Sequence, residues 1–172
     1  ASLIMAPEPI SLTSSSTLAM AAPFSRPSLE TSAASCPAIC AAALAAIEAI
    51  ESEGLLARST ALGEMFKARF AEIGARVAPY RMWDIRGLGA MLAVEFVQDF
   101  DTAKEDAAFT KSVIAHALKR GLILLGCGMH GNALRIMVPL TASDAIVEEG
   151  LAIFEAALAD AVAEHSASLA AE

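Results

Sequence analysis

The 172-residue sequence contains few cysteines, few aromatic residues and fewer basic than acidic residues. Its three cysteines, Cys36, Cys40 and Cys127, have neither the CxxC spacing nor the cysteine–histidine spacing typical of zinc sites. We therefore expect no disulfide framework, no metal site and a reducing compartment. The 12 lysines and arginines, set against 20 aspartates and glutamates, form no basic run, which argues against nucleic acid and anionic membranes as partners.

Hydrophobic runs long enough to cross a membrane are also missing. The longest uncharged stretches, residues 9–25 and 31–47, are interrupted by proline and serine and are shorter than the ~20 apolar residues that a span requires. The first basic residue is Arg26, so no positively charged segment precedes the first apolar stretch and no secretory signal is predicted. Together with the cysteine usage, these absences predict a cytoplasmic protein.

Alanine, in contrast, is abundant. It occupies 39 of the 172 positions, which favours helix because alanine loses no side-chain entropy there. Residues 1–36 are rich in serine and proline, carry few charges and show no sustained period, so they predict an irregular or disordered tail. Residues 37–165 show the helix and strand patterns of one domain, and residues 166–172 predict a frayed end.

Four helices are predicted in this domain. Residues 38–50 are apolar on every face apart from Glu48, which predicts a helix buried on both sides. The second helix follows Gly54, the third starts at an Asp101 or Thr102 cap and ends before Gly121, and the fourth starts at a Thr141 or Ser143 cap. Apolar stripes predict the buried faces of the second and fourth helices: Leu55, Leu62, Phe66, Phe70 and Ile73, and Val147, Leu151, Phe154 and Leu158.

The strands are predicted in two places. Residues 85–97 are rich in strand formers once past their glycines and predict one long strand, with Leu92, Val94 and Phe96 on one face. Residues 122–125 and 133–138, separated by a glycine-rich turn, predict a hairpin. The order of elements predicts an α+β fold in which a few-stranded sheet is covered by helices.

Arg135 is the strongest candidate for a functional side chain. It lies in a largely apolar strand, so its guanidinium needs an anion if that face is covered. Periodicity alone leaves two other interpretations open: a structural salt bridge, for example to Glu95, or simple exposure. His130 lies in the glycine-rich turn, where loops often carry function, but no Asp or Glu stands near it in sequence to orient it.

Three segments resemble a known family. They are RGLGAMLAVE from residue 86, LKRGLILL from residue 118, and CGMHGNALRIMVPLT from residue 127. Over about residues 37–158 the chain resembles the C-terminal part of the class III pyridoxal-phosphate-dependent aminotransferases. The CG…GN…R…PLT block is more similar to the 4-aminobutyrate branch of that family than to its ornithine and acetylornithine branches.

The resemblance implies the small C-terminal domain of a fold-type I enzyme that uses pyridoxal phosphate, acts on amino and keto acids and forms a homo-oligomer. The family's arginine at the position of Arg135 holds the α-carboxylate of glutamate or 2-oxoglutarate. A family threonine reaches the cofactor phosphate from a glycine-rich turn that is degenerate here. Counting back from Pro37 puts Ser32, next to Thr31, at that position, and these two are the candidate cofactor-binding residues.

The family's large domain, which carries the Schiff-base lysine, is not found in this chain. The four lysines present lie among polar neighbours, whereas a Schiff-base lysine must be unprotonated. We therefore predict no catalytic residue here. The chain is interpreted as a fragment, inactive alone, of an enzyme that transfers the amino group of 4-aminobutyrate to 2-oxoglutarate. The alternative is a non-catalytic α+β interaction module or a degenerate gene product.

Overall fold

The computed structural model describes residues 37–169, and the chain divides into two units, Ala1–Ala46 and Ile47–Glu172. The predictions made for residues 1–36, including the cofactor-binding candidates Thr31 and Ser32, lie outside the described residues, as do residues 170–172. The elements are α1 (Pro37–Ser52), α2 (Leu55–Val77), β1 (Met82–Leu88), β2 (Met91–Phe96), α3 (Ala107–Lys119), β3 (Leu125–Cys127), β4 (Ala133–Met137) and α4 (Asp144–Leu169).

Helix α1 forms where the sequence predicts it, but the prediction that it is buried on both sides is wrong. None of its residues is buried, and Ile39 and Leu44 are more than half exposed. The alanine-rich sequence favours the helix through local backbone propensity, which needs no covering surface. An apolar composition shows that a helix has side chains suited to burial. Whether they are buried depends on another surface that packs against the helix.

The amphipathic helices α2 and α4 confirm their predicted stripes. Every residue of both stripes is buried except Leu55, at the start of α2, which is half-buried. The Ser143 hydroxyl accepts a hydrogen bond from the amide of Ile146 at 3.4 Å, so Ser143 is the one of the two predicted caps that contacts the helix start. Helix α4 continues through residues 166–169, part of the segment predicted to fray.

The long strand predicted over residues 85–97 is instead a hairpin, β1 and β2. The chain reverses at Gly89 and Ala90, and Gly89 has φ +54°, a left-handed conformation that glycine adopts without a steric penalty. A Cβ at position 63 of α2 would lie 2.2 Å from the carbonyl oxygen of Gly89, so glycine there lets the helix approach this turn. The prediction that Leu92, Val94 and Phe96 share a face is confirmed, since all three are buried.

Helix α3 starts later than predicted. Its cap is Asp106, whose carboxylate accepts a hydrogen bond from the amide of Phe109 at 2.9 Å, and not Asp101 or Thr102. Glu105, which lies between these two residues and Asp106, instead forms a β-bridge with Val97, the residue after β2. Asp106 is almost fully buried, and Arg81 at the start of β1 neutralises it at 2.8 Å.

The four strands form one antiparallel sheet in the order β1-β2-β4-β3. The predicted hairpin of β3 and β4 is confirmed, although β3 spans Leu125–Cys127 and residues 122–124 precede it without regular structure. Helices α2, α3 and α4 cover one face of the sheet, where Phe70 meets Phe154 and Phe96 meets Phe109 edge to face. We call this the covered face and the opposite side the outer face. The predicted α+β class is confirmed.

Ion pairs join α4 to the other helices of this layer. Three arginines of α2 each contact an acidic residue at or along α4: Arg58 with Asp144, Arg69 with Glu148, and Arg76 with Glu155. Between α3 and α4, His116 contacts Glu164 at 3.1 Å, and Arg120 contacts Asp160. Within residues 37–169, no helix combines the length and the hydropathy that crossing a bilayer requires.

Candidate substrate-binding site

The outer face of the sheet positions Arg135. In β4 this residue pairs with Ala93 of β2 on one side and with Leu125 of β3 on the other. Since side chains alternate along a strand, Arg135 points away from the buried Leu134 and Ile136 that flank it. The guanidinium is therefore carried by a central strand of the sheet, on the side opposite α2, α3 and α4.

Arg135 itself is exposed and makes no ion pair or side-chain hydrogen bond with any residue between 37 and 169. Its strand neighbour Ala93 is small and leaves space beside it. A guanidinium carries five donors and no acceptor, and its planar fork matches a carboxylate. Arg135 is thus an exposed guanidinium at the middle of the outer face, with no ion pair among the described residues.

Glu95 does not pair with Arg135, so the suggested salt bridge between them is not formed. The exposure of Arg135 agrees with the other interpretation left open by the sequence, simple exposure. One carboxylate oxygen of Glu95 accepts a hydrogen bond from Arg86 at 2.5 Å, and the other accepts one from the side-chain amide of Asn132 at 3.1 Å. The hydrogen bond from Arg86, helped by the one from Asn132, holds the pKa of the Glu95 carboxyl below its usual value. Both oxygens of Glu95 are already occupied.

Arg86 provides the contrast to Arg135 on the same face. It pairs with Ala93 from the β1 side, so the two arginines flank one alanine. Arg86 contacts Asp84 at 2.6 Å as well as Glu95, and these hydrogen bonds raise the pKa of its guanidinium. Two carboxylates therefore neutralise Arg86, which leaves Arg135 as the cation of this face that can accept a new anion.

The network of Arg86, Glu95 and Asn132 was not predicted from the sequence. Asn132 is buried, and its amide also donates to the carbonyl oxygen of Phe96 at 3.0 Å. The three residues lie on β1, on β2 and at the start of β4, and only the pairing register brings them together. No signal in the sequence pointed to it, because residues 86 and 95 fall in what was predicted to be one strand.

Apolar side chains surround the two arginines. Leu88, Met91 and Met137 form one row across the outer face and are 57% to 87% exposed, and Leu125 beside Arg135 is 51% exposed. A cavity of about 240 Å³ opens next to them, between the end of β4, residues 122–125 and the helices α2 and α4. Arg135 is the single charged residue among the described residues that line it. An apolar chain with a carboxylate suits such surroundings.

The other residues singled out in the sequence do not join this site. His130 lies in the turn before β4, 3.5 Å from Glu105, and is more than half exposed. Lys67 pairs with Glu64 at 3.2 Å, and the remaining lysines, Lys104, Lys111 and Lys119, are exposed. Between residues 37 and 169 no group of three histidine, cysteine or acidic side chains is placed to hold a metal ion.

Comparison with known proteins supports one family. The family model described as "Aminotransferase class-III" matches residues 16–158. The match begins 21 residues before the predicted domain start at residue 37, so it includes part of the segment that was predicted to be unlike the family.

Individual relatives agree with this match. The chain is 50% identical to a 5-aminovalerate aminotransferase of Pseudomonas putida over 124 residues, which cover 72% of this chain and 28% of the relative. It is 43% identical to a 4-aminobutyrate aminotransferase of Escherichia coli, with 68% and 27% covered. The solved structure of an omega-aminotransferase from Paracoccus denitrificans superposes with a TM-score of 0.65 at 27% identity, covering 74% of this chain and 28% of that one. The chain thus spans little more than a quarter of the length of these relatives.

Proposed function

The chain belongs to the class III aminotransferases, and from that membership we propose that it is the carboxylate-binding C-terminal part of an ω-amino acid aminotransferase. The amino donors are 4-aminobutyrate and 5-aminovalerate, which the names of the relatives supply and which differ by one methylene. The acceptor is 2-oxoglutarate, which becomes glutamate. We further propose that the complete enzyme is a cytoplasmic homo-oligomer.

One observation carries this proposal: within residues 37–169, Arg86 on the outer face is paired with two carboxylates, whereas Arg135 is paired with none. A planar guanidinium on a rigid strand can hold the α-carboxylate of glutamate or 2-oxoglutarate through two parallel hydrogen bonds. Fixing that carboxylate orients the substrate before proton transfer, which lowers the entropic cost of the reaction. Arg135 is therefore a substrate-binding residue.

Pyridoxal phosphate, the cofactor implied by the family, does not fit the described lysines. A lysine that forms a Schiff base must lose its proton through burial or a neighbouring cation. Lys67 is paired with a glutamate and the other three lysines are exposed, so none has those surroundings. We propose that this chain contributes substrate recognition and that the covalent chemistry belongs to a part of the enzyme outside it. Thr31 and Ser32 remain proposals for contact with the cofactor phosphate.

The test of this function is Arg135→Ala in a complete enzyme that carries this C-terminal sequence. We expect the half-reaction with glutamate or 2-oxoglutarate to lose roughly 2–5 kcal/mol of transition-state stabilisation, the usual cost of deleting one partner of a desolvated charge pair. The half-reaction with 4-aminobutyrate should lose much less, because that donor has no α-carboxylate. Single-turnover kinetics of each half-reaction make the measurement.

Two further variants control this experiment. Arg135→Lys should recover only part of the loss, since an ammonium cannot form the bidentate fork. Arg76→Ala removes an arginine that pairs with Glu155 away from the outer face and should leave the ratio of the two half-reactions unchanged. Equal impairment of both half-reactions by Arg135→Ala would mean that Arg135 supports the fold and does not bind the substrate.

The surroundings of the lysines favour a second candidate, a non-catalytic module that pairs with a separately encoded large domain. The DNA upstream of residue 1 discriminates between the two. A continuous reading frame for a large domain with a lysine supports the enzyme, and a stop codon directly upstream supports the module.

A further inference from the structure

Two arginines of the outer face are separated by a single alanine. Arg86 of β1 and Arg135 of β4 both pair with Ala93 of β2, on opposite sides of it. Neighbouring strands lie about 4.8 Å apart, so the Cα atoms of the two arginines are roughly 10 Å apart. Long side chains reach each other across such a distance, and alanine places only a methyl group between them. Two guanidinium groups can therefore approach the same small anion above Ala93.

A pair of free cations at this spacing would suit a dicarboxylate. Glutamate and 2-oxoglutarate carry a carboxylate at each end of a five-carbon chain, and each guanidinium matches one carboxylate. A substrate held by both arginines would lie across the sheet with both of its ends fixed. That orientation differs from the one in which Arg135 holds the α-carboxylate alone, so it would compete with the orientation required for reaction.

Glu95 is placed to prevent this second orientation. It follows Ala93 by two residues in β2, which makes it a diagonal neighbour of both arginines. One of its carboxylate oxygens contacts Arg86 at 2.5 Å. The other accepts a hydrogen bond at 3.1 Å from the buried amide of Asn132, which also donates to the carbonyl oxygen of Phe96 at 3.0 Å. Asn132 thus fixes the Glu95 carboxylate, with one oxygen left for Arg86.

Asp84 adds a second, weaker contact to Arg86. Its carboxylate reaches the same guanidinium nitrogen at 2.6 Å, but its side chain is 41% exposed, against 24% for Glu95. Ion pairs lose strength as they become more exposed, so we expect Glu95 to contribute more than Asp84 to the neutralisation of Arg86. Both carboxylates belong to this chain, and the neutralisation of Arg86 therefore needs no group from the rest of the enzyme.

We propose that Glu95 is a positioning residue that sets the carboxylate specificity of this face. By holding Arg86, it prevents a five-carbon dicarboxylate from bridging the two arginines, so that substrate binds through Arg135 alone. Glu95 acts through Arg86 and does not contact the substrate itself. This inference rests on the proposed function, because it requires Arg135 to bind the α-carboxylate.

The test compares Glu95→Gln with the wild type in a complete enzyme that carries this C-terminal sequence. Glutarate, an unreactive five-carbon dicarboxylate, and butyrate, a monocarboxylate, are measured as inhibitors of the half-reaction with 2-oxoglutarate. We expect glutarate to inhibit about threefold more tightly in the variant, because Arg86 becomes available, and butyrate to inhibit equally in both.

The substrate itself gives a second readout. For 2-oxoglutarate, the limiting rate of the half-reaction and its half-saturating concentration should both fall about threefold in Glu95→Gln, with their ratio unchanged. This pattern is expected when part of the bound substrate lies in an unreactive orientation. A lower limiting rate without a lower half-saturating concentration would show that Glu95 only supports the structure, and would overturn the proposal.

Three variants complete the experiment. Asp84→Asn removes the other carboxylate from Arg86 and should tighten glutarate inhibition by a smaller factor, about twofold, which tests the proposal even if Glu95→Gln folds poorly. The double variant Glu95→Gln/Arg86→Ala should lose the tightening. Glu72→Gln removes an exposed charge on α2 and should change neither inhibitor.

Arg135→Ala separates failure of this inference from failure of the proposed function. If that variant impairs both half-reactions equally, the proposed function is wrong and the inference is overturned with it. If it impairs the 2-oxoglutarate half-reaction selectively while Glu95→Gln leaves glutarate inhibition unchanged, only the role of Glu95 is wrong. Tighter glutarate inhibition that persists in Glu95→Gln/Arg86→Ala would also overturn that role.

Discussion

The two faces of the four-stranded sheet are made by the same strands, but the chain covers one of them much more completely than the other. On the covered face, Leu92, Val94 and Leu134 pack against three helices and are nearly inaccessible to water. On the outer face, the side chains that alternate with them include Met91, Arg135 and Met137, and all three are exposed. The covered face therefore accounts for the stability of the domain, and the outer face carries groups whose partners must come from outside it.

Two positions of β4, one on each face, test this contrast most strongly. Leu134→Ala leaves a cavity on the covered face and should lower the free energy of unfolding by about 2–5 kcal/mol. Met137→Ala, on the outer face of the same strand, should change it by less than about 0.5 kcal/mol, since Met137 is already 63% exposed. Urea unfolding of the full chain followed by circular dichroism gives both values, and similar losses would show that the outer face is also packed.

Acid should weaken the outer face through Glu95. Hydrogen bonds from Arg86, the larger cause, and from Asn132 lower the pKa of Glu95 in the folded chain. These contacts therefore stabilise the fold at a pH above the unfolded pKa of about 4.3. Their contribution is lost as the pH falls through the lower pKa of the folded state. Glu95→Gln should therefore cost about 1 kcal/mol at pH 7, and the difference from wild type should shrink below pH ~4. Glu72→Gln, on the exposed side of α2, is the control. A difference that stays constant with pH would contradict a role for the charge.

The smallest expected effect is an absence of reaction. Among its described residues the outer face carries two arginines and no lysine, so the 172-residue chain should form no stoichiometric Schiff base with pyridoxal phosphate. Reduction with borohydride followed by peptide mapping should show scattered labelling of surface lysines. One lysine labelled to a stoichiometry near one would show that this chain holds the cofactor covalently, and that the surroundings of its lysines have been misinterpreted.

The sequence predicted those parts of the fold that repeat with a helical period. Val147, Leu151, Phe154 and Leu158 are spaced so that only a helix places them on one side, and all four are buried. Turns were harder to predict, because alternation continued through Gly89 into β2 and concealed the reversal. The start of α3 was misplaced because several acidic or hydroxyl side chains in a row could each act as a cap.

Features that depend on distant parts of the chain could not be predicted. Glu95 lies opposite Arg86 and Asn132 only because of the strand register, and no local pattern contains that information. The ring contacts of Phe100 with Tyr80 and Trp83 likewise join residues that are far apart in sequence. The position of Arg135 on a strand was predicted from the sequence. The lack of an ion pair between Arg135 and Glu95 was seen only in the structure, where both oxygens of Glu95 accept hydrogen bonds from other residues. Its role as a substrate-binding residue remains a proposal.

The ion pairs between α2 and α4 constrain how this domain can be recombined with its relatives. All three arginines lie on α2, and all three acidic partners lie at the start of α4 or along it. Consider a chimera that takes α2 from this chain and α4 from a relative without those acidic residues. The three arginines of α2 would then face a helix that offers them no carboxylates. The two helices, although more than sixty residues apart in sequence, are therefore best exchanged together, as a single inherited unit.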